Sequence, residues 1–191
     1  MIRSIVGLNG AGTSQYLRRR VGEEERHKVT VGYLPDIPTL PVEMSALELF
    51  TRVGAMRGVP NPAPRARELL DFLLIGSSSA APIASYSVGN VHRVALALTL
   101  FLPAQVLLLD HPLELVDPLS RLRVWDEFER LADSGVQIEF STHDLAAAMQ
   151  CSEVAVMADG EIVAEGPPRV VLGRDPLGRL AALSGIGPRS S

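Results

Sequence analysis

The chain has 191 residues, a length typical of one domain, and 47% of its residues are hydrophobic, which is ample for a core. Its formal net charge of −4 gives no general attraction to nucleic acid or anionic membranes, and its one cysteine, Cys151, excludes an internal disulfide and a cysteine metal cluster and suits a reducing compartment. The longest apolar stretch, Val94 to Leu109, is interrupted by Thr99, Pro103 and Gln105, so a membrane span is not expected. The N-terminal MIRSIVGLNG has too short an apolar run and no small-residue cleavage site, so a signal peptide is not expected either.

The first predicted strand covers residues 2–6 and leads directly into the glycine-rich stretch GLNGAGTS, Gly7 to Ser14. This stretch fits the phosphate-binding pattern G-x-x-x-x-G-K-[ST], except that Thr13 stands at the lysine position. A helix is predicted to begin near Thr13. A glycine turn that opens a helix directs backbone N–H groups at one point, where the helix N-terminus adds positive potential. Taken alone, a loop without its lysine is weak evidence for a phosphate site.

After a strand in KVTVGYLP, residues 41–82 are predicted to be mainly helical. The first helix lies in SALELFTRVGAMRG and begins with a capping box, Ser45 and Glu48. Its apolar face is predicted to contain residues three positions apart: Leu47, Phe50, Val53 and Met56. A proline-rich connector, VPNPAP, precedes a second helix in RARELLDFLLIG, which we expect to end at Gly76.

Helices and strands alternate after residue 90. The segment NVHRVALALTLFL predicts a mostly buried helix, on which His92 is expected at the surface or in an interface. The segment QVLLLD predicts a central strand that ends on Asp110. Asp117 and Pro118 mark the start of another helix. A strand in VQIEFSTHD and a hairpin that turns at Asp159–Gly160 follow. Residues 174–191 are expected to form a loosely held tail.

This alternation predicts a parallel sheet covered by helices on both faces. In such sheets, ligands bind at the carboxyl ends of the strands. The polar residues of this chain lie at those ends: the glycine loop after Val6, Asp110 after Leu109, and residues 141–143 after Phe140. That coincidence is stronger evidence for a site than any single motif.

The order of the motifs adds a family resemblance. The segments GLNGAGTS, VGYLPD, YSVGNVHRVALA, VLLLDHP, LVDP and STHD together resemble the nucleotide-binding domain of ABC transporters, from Ile2 to about Leu172. The stretch from VGYLPD to MSALELFTRVGAMRGVP resembles the subset that serves ABC-2 type exporters. The resemblance implies a P-loop NTPase-like α/β fold and binding of ATP with Mg²⁺. It also implies a dimer in which each ATP lies between the Walker motifs of one domain and the signature of the other.

The resemblance also assigns roles by position. It makes Gly7 to Ser14 the Walker A loop and places Asp36 at the Q-loop position. The implied nucleotide-binding residues are therefore Gly7, Asn9, Gly10, Gly12, Thr13, Ser14 and Asp36. Tyr86 to Asn90 become the signature, with Ser87 and Gly89 retained.

The remaining implied roles concern catalysis and metal binding. Asp110 is the Walker B aspartate and would hold Mg²⁺ together with Ser14, while Asp117 belongs to the D-loop. His143 is the switch histidine, and His111, which follows the Walker B aspartate, is the second catalytic candidate. Considered alone, His143 could equally be a residue at the start of a helix.

Four departures from the family pattern affect the same reaction. Thr13 replaces the lysine, His111 the glutamate that polarises water, Asp36 the Q-loop glutamine, and Val88 the first glycine of the signature pair. A charge-assisted hydrogen bond is worth about 1.5–3 kcal/mol, so loss of the lysine weakens phosphate binding roughly 10- to 150-fold. Loss of a general base removes about 10²–10⁴ in rate. These changes predict a degenerate site.

The patterns predict one nucleotide-binding domain over residues 1–173, with a helical subdomain inserted at about 41–88. The chain starts on the strand that feeds the Walker A loop. The strands that precede it in the family, with their adenine-stacking aromatic residue, are therefore expected to be missing, which leaves a truncated N-terminal β-subdomain.

The expected function is that of a degenerate ABC subunit that pairs with an intact ATPase subunit and docks on a membrane permease. It would then be cytoplasmic and peripheral to the membrane, with no nucleic-acid partner. Two alternatives remain open at this point. One is an active ATPase that uses His111 as its base, and the other is a P-loop-derived scaffold or regulator outside transport.

Overall fold

A six-stranded sheet forms the centre of the computed structural model, which describes residues 1–185. In chain order, the strands are β1 (Ile2–Gly7), β2 (Val31–Leu34), β3 (Val106–Leu109), β4 (Gln137–Ser141), β5 (Glu153–Ala158) and β6 (Glu161–Gly166). Their spatial order is β2-β3-β4-β1-β5-β6, and every neighbouring pair is parallel except β5 and β6. The predicted fold class, a largely parallel sheet between helices, is confirmed.

Helices cover both faces of this sheet. In chain order, they are α1 (Thr13–Arg26), α2 (Ala46–Met56), α3 (Pro62–Phe72), α4 (Val88–Phe101), α5 (Pro118–Asp133), α6 (Leu145–Ala148), α7 (Pro168–Val171) and α8 (Pro176–Leu183). Two short 3₁₀ turns, Gly76–Ser78 and Ile83–Ser85, lie between α3 and α4.

The alternation of side chains along each strand divides the core between the two faces. Ile5 of β1 and Leu108 of β3 pack with Leu17 of α1 on one face. The neighbouring Leu107 and Leu109 point to the opposite face, into the larger cluster formed with α2 to α5. Strand β3 is therefore buried on both sides, as its unbroken apolar sequence predicts.

Local signals fix several element ends. Ser45 and Glu48 form the predicted capping box of α2, and Asp117 caps α5 through the N–H group of Ser120. The turn between β5 and β6 contains Asp159 and Gly160, both with positive φ, as in a type I′ hairpin.

The apolar face predicted for α2 is wrong. The buried residues are Ala46, Leu49, Phe50 and Gly54, whereas Met56 is 85% exposed. Residues three apart fall short of a full turn by about 60° at each step, so a series from Leu47 to Met56 crosses to the opposite side of the helix. The true face combines spacings of three and four.

The predicted bounds of α3 also differ from the structure. The helix begins at Pro62, inside the stretch interpreted as a connector, because proline is well tolerated in a first helical turn. It ends at Phe72 rather than at Gly76. Leu74 takes a positive φ just beyond this end and reverses the chain.

The segment after residue 173 is more regular than the predicted tail. Residues Pro176–Leu183 form α8, and Leu180 is 6% exposed in a cluster with Val154 and Val156 of β5. Asp175 caps this helix through the N–H group of Gly178. The prediction for residues 186–191 lies outside the described residues. Among residues 1–185, no helix is both long and apolar enough to cross a membrane.

Two glycines in helix interiors provide a matched test of packing. A Cβ atom at Gly54 would lie 2.8 Å from both Phe101 and Pro62, where α2 meets α4 and α3, whereas a Cβ at Gly22 in α1 meets nothing within 4 Å. We expect Gly54→Ala to lower the free energy of unfolding by about 1–3 kcal/mol through overpacking. Gly22→Ala should raise it by about 0.5–1 kcal/mol. Urea unfolding of both variants measures this, and equal effects would contradict the packing of α2.

Candidate functional site at the carboxyl edge of the sheet

Three loops meet at the carboxyl edge of the three adjacent strands β3, β4 and β1. They are the glycine loop Gly7–Ser14 after β1, Asp110 and His111 after β3, and Ser141 to His143 after β4. Because these strands are parallel neighbours, their ends lie side by side.

The glycine loop has the shape that its glycines predict. Gly10 and Gly12 have φ values of 85° and 92°, a region that side chains disfavour. A Cβ atom at Gly12 would lie 3.1 Å from the Cα of Gly160 in the β5–β6 turn, and the N–H group of Gly160 donates to Ala11 at 3.0 Å. At Gly7, a Cβ would lie 3.0 Å from the carbonyl oxygen of Met157. The hairpin therefore holds the loop in place.

The loop opens α1, whose N-terminus faces a cleft. Within the described residues, α1 has no side-chain cap and no acidic residue in its first turn. The cleft has a volume of about 320 Å³ and is lined by Leu8, Asn9, Gly10, Gly12, Thr13, Ser14, Gln15, His111 and His143. The uncapped N–H groups and the helix dipole suit an anion, so the loop fits a phosphate even though Thr13 offers no positive charge.

Asp110 lies behind this cleft and is completely buried. The hydroxyl of Ser141 donates to its Oδ1 atom at 2.6 Å, while Oδ2 has no hydrogen-bond partner among residues 1–185. An unpaired buried carboxylate oxygen is costly unless a cation or a donor satisfies it. This orphaned oxygen fits the Mg²⁺ that the resemblance implies.

His111 occupies an unusual backbone position beside Asp110. Its φ is 50°, in the left-handed region, where histidine is one of the better tolerated residues. Its N–H group donates to Ser141 Oγ at 2.9 Å, and its Nε2 atom lies 3.9 Å from Asp110 Oδ1. On the other side of the ring, Nδ1 lies 3.0 Å from Glu114 Oε1. The ring is thus held between two carboxylates.

His143 reaches the same cleft from β4. Its Nδ1 atom lies 3.2 Å from the carbonyl oxygen of Gly7, and its ring centroid lies 4.6 Å from that of His111. A carbonyl only accepts, so this contact is a hydrogen bond when Nδ1 carries the proton. Asp144 caps α6 through the N–H groups of Ala146 and Ala147. His143 therefore does more than begin a helix, because it contacts the glycine loop.

The signature-position residues lie outside this cleft. Ser87 caps α4 by accepting the N–H group of Asn90 at 3.2 Å, and a Cβ at Gly89 would lie 3.6 Å from the carbonyl of Leu115. Asp117 pairs with Arg93 of α4 at 3.5 Å. The hydrogen bonds from Ser120, assisted by Arg93, lower the pKa of Asp117. These residues form a second group, separate from the glycine loop.

Asp36 follows β2 and is exposed, also outside the cleft. The positive charge nearby is that of Arg18 on α1. Contact with Tyr33 and attraction to Asp110 and Asp36 raise the pKa of the Arg18 guanidinium.

His92 is buried within this chain, contrary to the expectation of a surface or interface residue. It is 3% exposed, because it lies one turn before the buried Leu96 on the same face of α4. Burial lowers its pKa, and the nearby carboxylates of Asp36 and Glu114 only partly oppose this. His92 is therefore held in its neutral form more strongly than a free imidazole.

The comparisons with known proteins agree with this geometry. The chain is 30% identical over 179 residues to the uncharacterised ABC transporter ATP-binding protein YxlF of Bacillus subtilis, an alignment covering 85% of the chain and 60% of YxlF. The chain is homologous to the ABC transporter ATP-binding proteins. It is also 29% identical to the probable multidrug ABC transporter ATP-binding protein YbhF of Escherichia coli, covering 89% of the chain and 33% of YbhF. The Nod factor export ATP-binding protein I of Ralstonia nicotianae is 28% identical to the chain, and the alignment covers 90% of the chain and 55% of that protein.

Solved structures support the fold. The structure described as an ATP binding subunit of an ABC transporter superposes with a TM-score of 0.78 at 21% identity, covering 96% of this chain and 83% of that one. The structure of a dimeric ATP-binding cassette, MJ0796 bound to ADP and Pi, superposes with a TM-score of 0.75 at 19% identity. The superposition covers 88% of this chain and 85% of that one. At this identity, the likeness concerns the fold. No protein-family model matches the chain.

The chain spans only 60% of YxlF and 33% of YbhF. The ABC-2 exporter resemblance is consistent with these homologues. The roles of individual site residues and the division into subdomains stay predictions.

Glu114 and Arg18 are site neighbours that the sequence reasoning missed. The spacing of three between His111 and Glu114 is a signal that could have found the first, since such residues face each other across a turn. Arg18 has no motif of its own, and only the packing of α1 against β2 brings it near Asp36.

Ser141 provides a test of the buried network. We expect Ser141→Ala to lower the free energy of unfolding by about 1–3 kcal/mol, because Asp110 loses its only donor among the described residues and the N–H group of His111 loses its acceptor. Ser134→Ala, which removes an exposed hydrogen bond to Leu131, is the control and should cost less than about 0.5 kcal/mol. Urea unfolding compares the two, and equal costs would show that the network contributes little.

Proposed function

We propose that this chain acts as a catalytically degenerate nucleotide-binding subunit of an ABC exporter. In this proposal, it pairs with an intact ATPase subunit and docks on a membrane permease. The observation that carries the proposal is the cleft itself. The glycine loop and the uncapped start of α1 keep their phosphate-binding shape, while Thr13 and His111 stand where the reactive groups belong.

The chain's own residues suggest how far nucleotide binding can proceed. The N–H groups at the start of α1 would bind phosphate oxygens, and Ser14 with Asp110 would hold Mg²⁺, which supplies charge neutralisation when bound. Hydrolysis needs more, namely a positive group at the terminal phosphate and a base for water. Thr13 and His111 replace both, so binding without turnover is the expected state.

The second group of residues supports pairing with another subunit. Val88, Leu115 and Leu119 are 76%, 51% and 53% exposed, around the Arg93–Asp117 ion pair. Exposed apolar side chains around a polar pair are typical of a protein interface. The side chain of Val88 extends from the start of α4, where it would oppose close approach of a phosphate. This argues for contact rather than catalysis at that surface.

The Asp36 segment supports docking on a permease. Ile37, directly after Asp36, is 83% exposed, and Met56 at the end of α2 is 85% exposed. Both belong to the stretch that resembles the ABC-2 subset. We propose that the Asp36 loop and the helical segment Pro41 to Pro82 contact the permease, while residues 1–173 form one domain.

The first expected outcome concerns ATP affinity. The isolated chain should bind Mg·ATP with a Kd in the high micromolar range or weaker, which corresponds to a binding free energy of roughly −5.5 kcal/mol or less favourable. Thr13→Lys should tighten binding by about 10- to 150-fold, because it restores a charge-assisted hydrogen bond in a loop already shaped for phosphate. Thr13→Ala, which restores no charge, is the control. Titration calorimetry measures all three chains, and low-micromolar binding by the unmodified chain would contradict a degenerate site.

The second expected outcome concerns partners. Purification from the native membrane should recover a polytopic permease together with an ATP-binding subunit whose Walker lysine is intact. Asp117→Asn retains a good capping residue but removes the charge that pairs with Arg93. It should change the ATPase rate of the complex without unfolding this chain. Asp133→Asn, at the exposed far end of α5, is the control.

Other outcomes would favour the alternatives. Recovery of the chain as a lone monomer, with neither partner, would contradict the transporter role and favour a scaffold. Steady ATP hydrolysis by the purified chain that is lost in His111→Asn would favour an ATPase with His111 as its base, since His111 lines the cleft.

A further inference from the structure

Three side chains at the carboxyl edge of the sheet form a cluster that the proposed nucleotide chemistry does not use as a unit. His111 and Glu114 follow β3, and His143 follows β4. Each offers one ligand atom, and these atoms all lie within 4.8 Å of one another. The shortest separation, 3.0 Å, joins His111 Nδ1 to Glu114 Oε1.

The dimensions suit a small divalent metal ion. Metal–ligand bonds of about 2.0–2.2 Å in a tetrahedral site separate the ligand atoms by about 3.3–3.6 Å. The separation of His111 Nδ1 from Glu114 Oε1, 3.0 Å, is slightly shorter than this, and all three ligand atoms lie within 4.8 Å of one another. His111 is 9% exposed and fixed, whereas the side chain of Glu114 is 50% exposed and free to adjust by changing rotamer. Glu114 can therefore withdraw slightly from His111 Nδ1 to give the separation that a shared ion requires.

His143 has the outer contact that orients a metal ligand. Its Nδ1 faces the carbonyl of Gly7 at 3.2 Å, which leaves Nε2 free to bind. On His111, Nε2 points toward the buried carboxylate of Asp110 but lies 3.9 Å from it, too far for a hydrogen bond, and Nδ1 is the nitrogen beside Glu114. Metal-binding histidines usually place their second nitrogen against a carbonyl or carboxylate, as His143 does.

The ring nitrogen of His111 that would bind the metal is otherwise unused. Nδ1 is buried and makes no hydrogen bond within residues 1–185, although Glu114 Oε1 is close. The two atoms are close enough to bind one ion between them after a small increase in their separation.

We propose that His111, Glu114 and His143 bind a transition metal of the Zn²⁺ class. Two imidazoles and one carboxylate favour zinc and its neighbours over Mg²⁺, which prefers oxygen ligands such as Asp110. The three ligands also line a cleft of about 210 Å³ beside the glycine-loop cleft. One coordination position thus stays open to solvent or to an oxygen ligand.

Such an ion would join the segment after β3 to the segment after β4. It would hold His143 beside His111 without any nucleotide. The site does not depend on the transporter role, because every ligand comes from this chain. The metal site can therefore be tested independently of the proposed function, and either proposal can fail without the other.

The experiment is calorimetric titration of Zn²⁺ into the chain without an affinity tag, in Mg²⁺-containing buffer. We expect one ion per chain. Glu114→Gln, His143→Gln and His111→Asn should each weaken the Kd more than about 10-fold, since even outer-shell partners are worth 10- to 100-fold. Asparagine at residue 111 keeps the left-handed backbone accessible. His27→Gln, at an exposed histidine beyond the end of α1, is the control and should leave the Kd unchanged.

Co²⁺ gives a second readout that does not depend on stability. Its visible absorption should rise on binding to the unmodified chain and the His27→Gln variant, and fail to rise in the three ligand variants. Absence of saturable Zn²⁺ binding would overturn the proposal. Binding that persists in all three ligand variants, or that is lost in His27→Gln, would overturn it equally.

Discussion

The hydroxyl of Ser141 makes the contact on which the geometry of the carboxyl edge depends. It donates to the buried carboxylate of Asp110 and accepts the N–H group of His111, so one side chain of β4 fixes two consecutive residues after β3. A buried charge without such a donor would be costly. With it, Asp110 stays under the cleft and His111 is directed into it. His143, two residues after Ser141, then lies against the glycine loop. A single serine hydroxyl thus links the segment after β3 to the end of β4, and both segments carry a cleft-lining histidine.

Much of the fold was predictable because its signals are local. An unbroken apolar run predicts a strand buried on both faces, and β3 is such a strand. Ser45 and Asp117 cap helices through contacts with residues three positions away. Asp159–Gly160 forms the hairpin turn because both residues accept a positive φ. The errors arose where packing decides. The buried face of α2 follows from its contacts with α3 and α4, which a repeat of three residues cannot represent. The extent of α8 depends on a contact with β5 that is distant in sequence.

The candidate site was predictable for the same reason, and only in part. The rule that ligands bind at strand ends places His111 near His143, because it needs only the order of parallel strands. The same rule does not predict that Glu114 lies beside His111. That residue approaches His111 because the chain turns at residue 111 with a positive φ, and the N–H group of Glu114 returns to the His111 carbonyl. Nor does it reveal that α4 buries His92, since histidine is compatible with both surface and core. Turn conformation and helix orientation depend on tertiary packing, so local sequence patterns do not predict them.

The contact between the glycine loop and the β5–β6 turn changes what a glycine pattern can mean. At Gly7 and Gly12, a side chain would collide with the backbone of residues 157 and 160, whether or not a phosphate is present. These two glycines are therefore required by the interior of the protein itself. A chain that does not bind ATP would still be destabilised if either glycine were replaced. Their presence therefore does not show that a phosphate binds, and that question depends on residues that line the cleft, such as Thr13.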